Sequence, residues 1–439
     1  MKFSNLPLSL TDMSAPVIGI ASRTQTPKGL RLHIGLFGRR NAGKSSLINA
    51  LTNQKIAIVS DVPGTTTDPV EKACELAPIG PVVFIDTAGV DDVGELGGLR
   101  TERSLAVLGW VDVALIVCDA KALTESELEL IRTGKSTATP TIVVLNKADT
   151  ADAKELIATQ EQVRSLGYEP VTVCASQKLN IDAVREAIVK LAQNAVEPDL
   201  PLLGDLVHPG DTVMLVTPID TGAPKGRMIL PQVQAIREVL DADAKCIVVR
   251  ENRLAETLTN EKEPPAFVVT DSQVVQSVVA QTPKTIPVTT FSIQMAYSKC
   301  DLVEMARGAA MIDFLHPGDK VMICETCSHH PQPDDIGRKK LPRWLAKKVG
   351  GELDIEVVVG KDFPVDLTPY KLILQCGGCV VTRRHMLTRL AQAKRQNIPM
   401  TNYGVAISHL QGVLERALEL HPKALKAFHE AREIFANHF

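Results

Sequence analysis

A glycine-rich loop between a predicted strand and a predicted helix constrains the N-terminal third of this 439-residue chain. The apolar run RLHIGLF (31–37) predicts a buried strand, and the SLINALTNQ that follows the loop predicts an amphipathic helix. Between them, GRRNAGKS places Gly38 and Gly43 where the backbone must close around phosphate groups. Lys44 is placed to reach the β- and γ-phosphates of a nucleotide, and Ser45 to bind Mg²⁺. The pattern predicts a nucleotide-binding α/β domain.

Two more predicted strands end in polar residues suited to a nucleotide. VVFIDTAG ends a strand at Asp86, which can hold Mg²⁺ through water, and the N–H of Gly89 can meet the γ-phosphate. TIVVLNKAD ends another strand in Asn146, Lys147 and Asp149. A carboxylate at Asp149 can accept two hydrogens from the edge of guanine, which adenine does not supply. These residues therefore predict binding of GTP and GDP rather than ATP.

The segment VTVCAS supplies the last candidate contact with the base, at Ala175, and has Cys174 where serine is usual. Together, the motifs over residues 31–195 resemble a Ras-like GTPase. The resemblance implies a mostly parallel sheet with helices on both faces. It also adds Ser46, which follows the loop serine, to the candidate nucleotide-binding residues.

Two features resemble the potassium-dependent Era/MnmE-like GTPases. Val90 follows Gly89 where many GTPases carry a glutamine that orients water, and the phosphate loop contains Asn41. In DVPGTTTD, Thr66 aligns with the Mg²⁺ ligand of that group, with Thr65 as the alternative. The resemblance implies slow, K⁺-stimulated GTP hydrolysis. Its catalytic candidates are Lys44, Ser45, Asn41 and Thr66, and its Mg²⁺ candidates are Ser45, Thr66 and Asp86.

The C-terminal half contains a duplication. LVHPGDTVMLVTP and FLHPGDKVMICET are near copies, and their equivalent histidines, His208 and His316, are 108 residues apart. Two further pairs of blocks follow in the same order, around Pro231 and Pro342 and at IPVTTFSI and IPMTNYGV. Three matched blocks predict two copies of one Rossmann-like α/β unit, in which strands and helices alternate.

Four clustered cysteines occur in the second copy alone. They form two C-x-x-C pairs separated by 48 residues: Cys324 with Cys327, and Cys376 with Cys379. Because the first copy is expected to fold without them, these thiols are better explained by metal chemistry than by packing. Zinc and an iron–sulfur cluster both fit thiols at the ends of neighbouring strands. The scattered Cys74, Cys118, Cys174, Cys246 and Cys300 are expected to pack as small apolar residues.

A GTPase joined to C-x-H at Cys327 and His329, and to the later CGGC, resembles the FeFe-hydrogenase maturation GTPases, the HydF family. The sequences DDIGR and LPRW between the two cysteine pairs add to the resemblance. It implies a 4Fe–4S cluster held by Cys327, Cys376 and Cys379. Gln375 stands where the family often has histidine, so the fourth ligand is left open between His329, Cys324 and an exchangeable small ligand, with His329 favoured.

The same resemblance implies the role of a scaffold and carrier. Members of the family receive or complete a two-iron precursor with CO and cyanide ligands, made with two radical-SAM maturases, and deliver it to apo FeFe-hydrogenase. A homodimer or larger assembly is expected, held by the middle copy. The expected domains are a flexible arm (1–30), a GTP-binding domain (31–195), a dimerisation domain (200–295) and a cluster-binding domain (296–439).

Composition argues against other classes of partner. The net charge of −3 and the 4% aromatic content predict no nucleic-acid surface, and no apolar run is long enough to span a membrane. The N-terminus is a poor signal peptide, so a cytoplasmic protein is expected. The competing hypothesis is an Era-like GTPase with a structural four-cysteine zinc module that acts in RNA or ribosome assembly.

Overall fold

The structure, a computed structural model, describes residues 26–53, 69–87, 89, 95–194, 200–219, 228–326 and 335–437. Five residues singled out by the sequence lie outside these ranges: Thr65, Thr66, Val90, Cys327 and His329. We refer to 26–194 as the N-terminal module, 200–300 as the middle module and 301–437 as the C-terminal module. Among the described helices, none is both long and apolar enough to cross a membrane.

The N-terminal module has a six-stranded sheet in the order β2-β3-β1-β4-β5-β6. Its strands are β1 Leu32–Phe37, β2 Val70–Leu76, β3 Gly80–Asp86, β4 Val113–Asp119, β5 Thr141–Asn146 and β6 Val171–Thr172. Its helices are α1 Lys44–Thr52, α2 Glu95–Trp110, α3 Glu125–Ser136, α4 Ala153–Ser165 and α5 Ile181–Asn194. All strand pairs are parallel except β2–β3. The predicted parallel α/β fold is confirmed.

Burial and capping explain these elements. Every residue of β4 and β5 is buried, as expected for central strands that carry helices on both faces. Helices α3 and α4 each begin with a capping box, in which Thr124 pairs with Glu127 and Asp152 with Glu155. Each box satisfies two backbone N–H groups that a helix start leaves unpaired.

The middle and C-terminal modules contain four-stranded parallel sheets of the same topology. The middle module comprises β7 Thr212–Val216, α6 Leu230–Asp241, β8 Lys245–Val249, α7 Leu254–Asn260, β9 Phe267–Thr270, α8 Val275–Gln281, β10 Val288–Thr290 and α9 Phe291–Lys299. The C-terminal module comprises α10 Leu302–Ala309, β11 Lys320–Glu325, α11 Leu341–Val349, β12 Asp354–Val359, β13 Leu372–Gln375, α12 Arg383–Arg395, β14 Met400–Asn402, α13 Tyr403–Leu410, α14 Leu414–Ala417 and α15 Pro422–Ala436. The orders are β8-β7-β9-β10 and β12-β11-β13-β14. Helix α9 runs across position 295, where the sequence analysis placed a boundary.

The repeated sequence blocks form the same local structures in both copies. In each HPGD turn, the aspartate accepts a hydrogen bond from the histidine backbone N–H, at 2.8 Å in the first copy and 2.7 Å in the second. The turn glycines Gly210 and Gly318 have φ values of +87° and +88°, where a side chain would be strained. Thr290 and Asn402, which end the fourth strands, cap the helices that follow. The predicted duplication is thus present at the level of topology and of single hydrogen bonds.

The N-terminal module packs against the C-terminal module through α2 and α12. The Trp110 ring lies 5.1 Å from that of His385 and 6.2 Å from that of His33. The Lys361 ammonium lies 4.1 Å from the centre of the Trp110 ring and also pairs with Glu71. An open cavity of about 900 Å³ lies between the two modules beside these residues.

A close backbone approach also joins these modules. Gly29 lies in a 3₁₀ turn just before β1, and a methyl group there would be 2.5 Å from the carbonyl oxygen of Cys379. The buried Lys299 donates a hydrogen bond to the Gly29 carbonyl oxygen. The segment that leads into the phosphate loop therefore rests directly on the CGGC loop.

Acid should weaken this interface, because it buries two histidines as neutral rings. Burial is the main cause that lowers the pKa of His33 from 6.5 to about 4 and the pKa of His385 well below 6.5. As the pH falls, these rings bind protons in the unfolded chain before they do so in the folded protein. Their contribution to the free energy of unfolding is therefore fully present above pH 6.5 and is lost as the pH falls towards 4. For His33 the loss reaches about 3 kcal/mol. Emission from Trp110, followed in a Trp344→Phe background, should change in this pH range.

The exposed His208 provides the control for this acid transition, since His208→Gln should leave the transition unchanged while His33→Gln reduces it. A Trp110 signal that stays constant from pH 7 to pH 4 would contradict the assignment.

The helix glycine Gly308 should not tolerate alanine. A methyl group there would lie 2.1 Å from the carbonyl oxygen of Met400 in β14, so α10 would have to move off the sheet. Gly308→Ala should destabilise the protein by about 1–3 kcal/mol, measured by chemical unfolding. Gly109→Ala is the matched control, because its methyl group would meet nothing closer than 3.9 Å. Gly109→Ala should leave the free energy of unfolding unchanged or raise it by up to about 1 kcal/mol. Equal changes in the free energy of unfolding for the two variants would refute the packing argument.

Candidate functional site

The phosphate loop between β1 and α1 has backbone geometry that only particular residues allow. Gly38 and Gly43 have φ values of +137° and +96°, and Asn41 has +60°. A methyl group at Gly38 would lie 2.1 Å from the Val117 carbonyl oxygen, and one at Gly43 would lie 2.1 Å from Nδ2 of Asn146. Both glycines are therefore required by conformation and by space.

Two charged side chains, Lys44 from α1 and Asp86 from β3, lie in or beside this loop. The buried Lys44 ammonium donates to the carbonyl oxygens of Gly38 and Arg39 at 2.9 and 3.0 Å, so it lies within the loop. The Ser45 hydroxyl donates to a carboxylate oxygen of Asp86 at 3.3 Å. Burial raises the pKa of Asp86, which Lys44 partly offsets. A dication beside Ser45 and Asp86 would compensate this buried carboxylate, so the donor set fits Mg²⁺.

The base-binding side is tied to the phosphate loop by Asn146. Its amide nitrogen donates to the Ala42 carbonyl at 2.8 Å, and its oxygen accepts from the Ala175 backbone N–H at 3.0 Å. Asn146 therefore connects three segments that the sequence had assigned to one site. Ser46 follows Ser45 in the first turn of α1. Gly89 follows β3, which ends at Asp86.

Cys174 has a polar role that the sequence analysis did not assign to it. Its buried thiol donates to the Asp149 carboxylate at 3.1 Å, and the Gln177 amide donates to the other oxygen at 3.2 Å. These two bonds orient the carboxylate that is expected to read guanine. The signal in the sequence was the position of Cys174 where serine, a better donor, is usual.

Asp119 is a second functional candidate that sequence reasoning missed. It ends β4 and pairs with Lys147 at 3.4 Å and with Arg39 of the phosphate loop at 3.0 Å. Lys147 has a φ of +62°, so this ion pair helps to hold a strained backbone in the base-binding loop. No motif pointed to Asp119, because its partners lie far away in the sequence.

In the C-terminal module, the cysteine segments lie at one edge of the sheet, as expected. Strand β11 pairs in parallel with β13, with Cys324 opposite Gln375. The Cys376 backbone N–H extends the ladder by donating to the Cys324 carbonyl oxygen at 2.9 Å. Cys376 and Thr326 therefore emerge side by side, and Cys327 follows Thr326 in the sequence but lies outside the described residues.

Cys324 does not point to that edge. Its side chain is fully buried in the C-terminal core, and burial raises the pKa of its thiol to about 12. Because its side chain is enclosed in the core, whereas Cys376 and Cys379 are partly exposed, Cys324 is the weakest candidate for a metal ligand among these three cysteines.

Cys376, by contrast, is partly exposed and surrounded by hydrogen-bond donors. Its sulfur accepts from the Thr326 backbone N–H at 3.2 Å, lies 3.1 Å from the Thr326 hydroxyl and accepts from the Gln375 amide at 3.4 Å. Hydrogen-bond donors around a ligand sulfur are a common feature of metal and cluster sites. The surroundings of Cys376 therefore fit a ligand thiolate.

Cys379 lies on the far side of a tight turn. Gly378 has a φ of +67°, and a methyl group there would lie 2.7 Å from the sulfur of Met386, so the turn requires glycine. Burial raises the pKa of the Cys379 thiol to about 11, and Cys376 contributes to this rise.

Residues 335–338 of the DDIGR motif pack beside the end of β11. Asp335 caps the turn by accepting from the Arg338 backbone N–H at 3.0 Å, and the Arg338 side chain pairs with Glu325 at 3.0 Å. A methyl group at Gly337 would lie 2.4 Å from the Tyr403 hydroxyl oxygen. The motif is therefore explained by close packing beside the cysteines. Within the described ranges, no three metal-binding side chains cluster, and His329 and Thr66 fall outside them.

Comparison with known families identifies three segments of the chain. Three family models match the chain in order: a 50S ribosome-binding GTPase over 33–147, the hydrogen maturase F dimerization domain over 202–300 and the hydrogen maturase F tetramerization domain over 303–420.

Individual relatives match the N-terminal module. The tRNA modification GTPase MnmE of Trichormus variabilis is 38% identical over 167 residues, which cover 37% of this chain and 34% of that protein. GTPase Der of Wolinella succinogenes is 36% identical over 173 residues, which cover 37% of this chain and 36% of that protein. The chain thus spans about a third of the length of these relatives. Among solved structures, Aquifex aeolicus Era bound to GDP and AlF4⁻ is 22% identical, with a TM-score of 0.33 over 52% of this chain and 97% of that one.

The predicted GTPase and family resemblance are therefore confirmed. Because two family-specific models follow the GTPase model in one chain, the protein belongs to the hydrogen maturase F (HydF) family and carries a GTPase domain.

Proposed function

We propose that this GTPase carries a 4Fe–4S cluster on its C-terminal cysteines and assembles, or delivers, a two-iron precursor for apo FeFe-hydrogenase. The observation that carries the proposal is the Cys376 sulfur, which lies at the carboxyl edge of the third sheet among three donor groups. Ligands bind at this edge in open parallel sheets. The membership of the chain in the HydF family supports the choice of cargo.

The ligand set would combine Cys376 and Cys379 with Cys327, and His329 is the preferred fourth ligand. When bound, the cluster supplies an iron position at which a small exchangeable ligand or a precursor can attach. The protein supplies the thiolates and the N–H donors at Cys376, and keeps Cys324 in the core. The two-iron precursor, with its CO and cyanide ligands, is cargo and would come from radical-SAM maturases.

The nucleotide site would use Mg²⁺ held by Ser45, Asp86 and Thr66, with K⁺ beside Asn41. Lys44 stabilises charge on the phosphates, and Asp149 selects guanine. The contact between Gly29 and the Cys379 carbonyl supports coupling between nucleotide state and the cysteine loop, since Gly29 leads into the strand that carries the phosphate loop. Hydrolysis would then change the affinity of the carrier for its partners.

We further propose a cytoplasmic homo-oligomer, with the middle module as the main self-association surface. The domain limits 31–195, 200–295 and 296–439 remain part of this proposal. The descriptions of the matching models, dimerization and tetramerization, support self-association. The zinc and RNA alternative makes a different prediction for metal content, so the cysteine experiment below decides between them.

Guanine selection should depend on Asp149 and on the thiol that orients it. Asp149→Asn removes an anionic acceptor, which should weaken GDP binding by about 3 kcal/mol, or about 100-fold. Isothermal titration with GDP, ADP and xanthosine diphosphate measures this change, and xanthosine should gain because its oxygen can accept from the new amide. Cys174→Ala should weaken GDP binding, whereas Cys174→Ser should preserve it. If Asp149→Asn binds GDP normally, the assignment of the base site is wrong.

The cysteines of the C-x-x-C pairs should not be equivalent. After anaerobic reconstitution, Cys376→Ser should lose most of its iron, while Cys324→Ala keeps about four irons per chain. Alanine is preferred at 324 because serine would bury a hydroxyl in the core. Iron, sulfide and zinc analyses with EPR provide the measurement, and GTP hydrolysis is the control for folding. If both variants lose metal alike, or if zinc replaces iron, a site built from all four cysteines is the better interpretation.

A further inference from the structure

The open cavity between the N-terminal and C-terminal modules belongs to neither of the sites described above. Its volume is about 900 Å³, which lies within the range of about 300–1,000 Å³ that small-molecule sites occupy. Helix α2 and strand β2 form one wall, and α12 with residues 361–365 forms the other. Neither the phosphate-loop residues nor the cysteines line it, so the cavity is a separate place in the fold.

Both modules contribute apolar surface to the lining. Leu105, Val107 and Trp110 come from α2, while Val358 and Phe363 come from the C-terminal module. Val107 and Trp110 are buried, and the other three side chains are partly exposed. Apolar walls of this extent favour a ligand with an apolar body over a simple ion.

Positive charge predominates in the same lining. Four cationic side chains face two carboxylates across the cavity walls: Arg103, Lys361, Arg389 and Arg395 against Glu71 and Asp362. The lining therefore has an excess of two positive charges (4 − 2) with both carboxylates counted. The buried ring of His385 adds none, because burial lowers its pKa well below 6.5.

The two carboxylates reduce this positive surface without cancelling it. Glu71 is held between Lys361 and Lys28, and lies 3.1 Å from the Lys28 ammonium. Asp362 is exposed and has no ion-pair partner among the described residues, so water screens its charge. Arg395 is likewise exposed and unpaired within the described ranges, which leaves its charge available to a ligand.

Arg389 forms the rigid part of the positive surface. It is only 2% exposed, and its guanidinium donates to the carbonyl oxygens of Gly360 and Asp362 at 3.0 and 3.2 Å and to the side-chain oxygen of Gln375 at 2.9 Å. None of these three acceptor atoms is charged, and in the described part of the chain Nε has no hydrogen-bond partner. An anion in the cavity would meet a cation that is already held in place, which lowers the entropic cost of binding.

We propose that this cavity binds an organic acid, a small molecule with an apolar body and one anionic head group. The body would lie against the apolar walls from α2 and Phe363, and the head group would lie near Arg389 and Arg395. Because the walls come from two modules, the ligand would contact both of them. This site goes beyond the proposed function and requires neither a cluster nor the nucleotide, so its test does not depend on either.

Anilinonaphthalene sulfonate is a suitable probe, since it combines an aromatic body with one anionic group. The full-length protein is saturated with Mg²⁺ and GDP, so that the probe cannot occupy the nucleotide site, and titrated by fluorescence and calorimetry. We expect about one sulfonate per chain, bound at least about tenfold more tightly than the uncharged N-phenyl-naphthylamine. Decanoate should displace it, and decanol at the same concentration should not. Equal affinities for the charged and uncharged probes would overturn the proposal.

Variants of opposite sign test the charge argument. Arg395→Gln should weaken sulfonate binding by about twofold to fivefold, and Asp362→Asn should strengthen it by a similar factor. Lys394→Gln is the matched control, because Lys394 is the neighbouring residue of α12, lies outside the lining and pairs with Glu304 at 3.4 Å. Its affinity should not change. The proposal fails if Arg395→Gln and Asp362→Asn shift the affinity in the same direction, or if Lys394→Gln weakens it as much as Arg395→Gln.

A variant that fills the cavity tests where the probe binds. Ala106 is an exposed residue of α2 in the lining, so a larger side chain there can enter the cavity without displacing the core. Ala106→Phe should weaken sulfonate binding by at least about tenfold. Ala391→Phe, also exposed but on α12 outside the lining, should bind as the unmodified protein does. GTP hydrolysis is the control for folding of each variant, and a folded Ala106→Phe protein with unchanged affinity would place the probe elsewhere and overturn the proposal.

Discussion

The parallel pairing of β11 with β13 determines where chemistry can occur in the C-terminal module. Parallel strands end at the same edge of a sheet, so the residues after Glu325 and Gln375 must emerge side by side. One further ladder bond, from the Cys376 N–H to the Cys324 carbonyl oxygen, sets the position of the first thiol of the CGGC loop. The same pairing forces Cys324 and Cys376 into opposite environments, because the first lies within a strand and the second lies beyond one. Cys324 and Cys376, which look alike in the sequence, are thereby placed in different surroundings.

Duplication provides a natural comparison for this arrangement. The first copy has the same strand order and the same HPGD turn, yet its equivalent strand ends carry no cysteine. The topology therefore does not depend on the thiols, and the cysteines of the second copy are available for the proposed metal site. Both copies keep the capped helix after the fourth strand, and these two helices, α9 and α13, pack on each other. A methyl group at Gly404 in α13 would lie 2.5 Å from Cβ of Ser292 in α9.

Much of the fold was predictable because it depends on local patterns. The phosphate loop, the strand ends at Asp86 and Asn146, and the repeated blocks all have residue types tied to one conformation. The side-chain hydrogen bonds and ion pairs between distant segments were not predictable. Asp119 with Lys147, Cys174 with Asp149, and Arg389 with Gln375 join residues whose types are ordinary at their own positions. Gln375 shows the difference clearly, since the sequence marked it only as a departure from histidine, and its hydrogen bonds are visible only in three dimensions. The roles of Cys327, His329 and Thr66 remain predictions.

The close approach of Gly29 to Cys379 has a consequence for how the protein can be taken apart. Gly29 precedes the first strand of the nucleotide-binding sheet, so it would be assigned by position to the N-terminal module, yet its backbone covers the loop of the C-terminal module. A separately expressed C-terminal half would expose the Cys379 backbone and leave the buried Lys299 ammonium without the Gly29 carbonyl oxygen that accepts its hydrogen bond. The residues around the CGGC loop therefore come from both the N-terminal and the C-terminal module. Cutting the chain between these modules would change the surroundings of the cysteines even when every cysteine is retained.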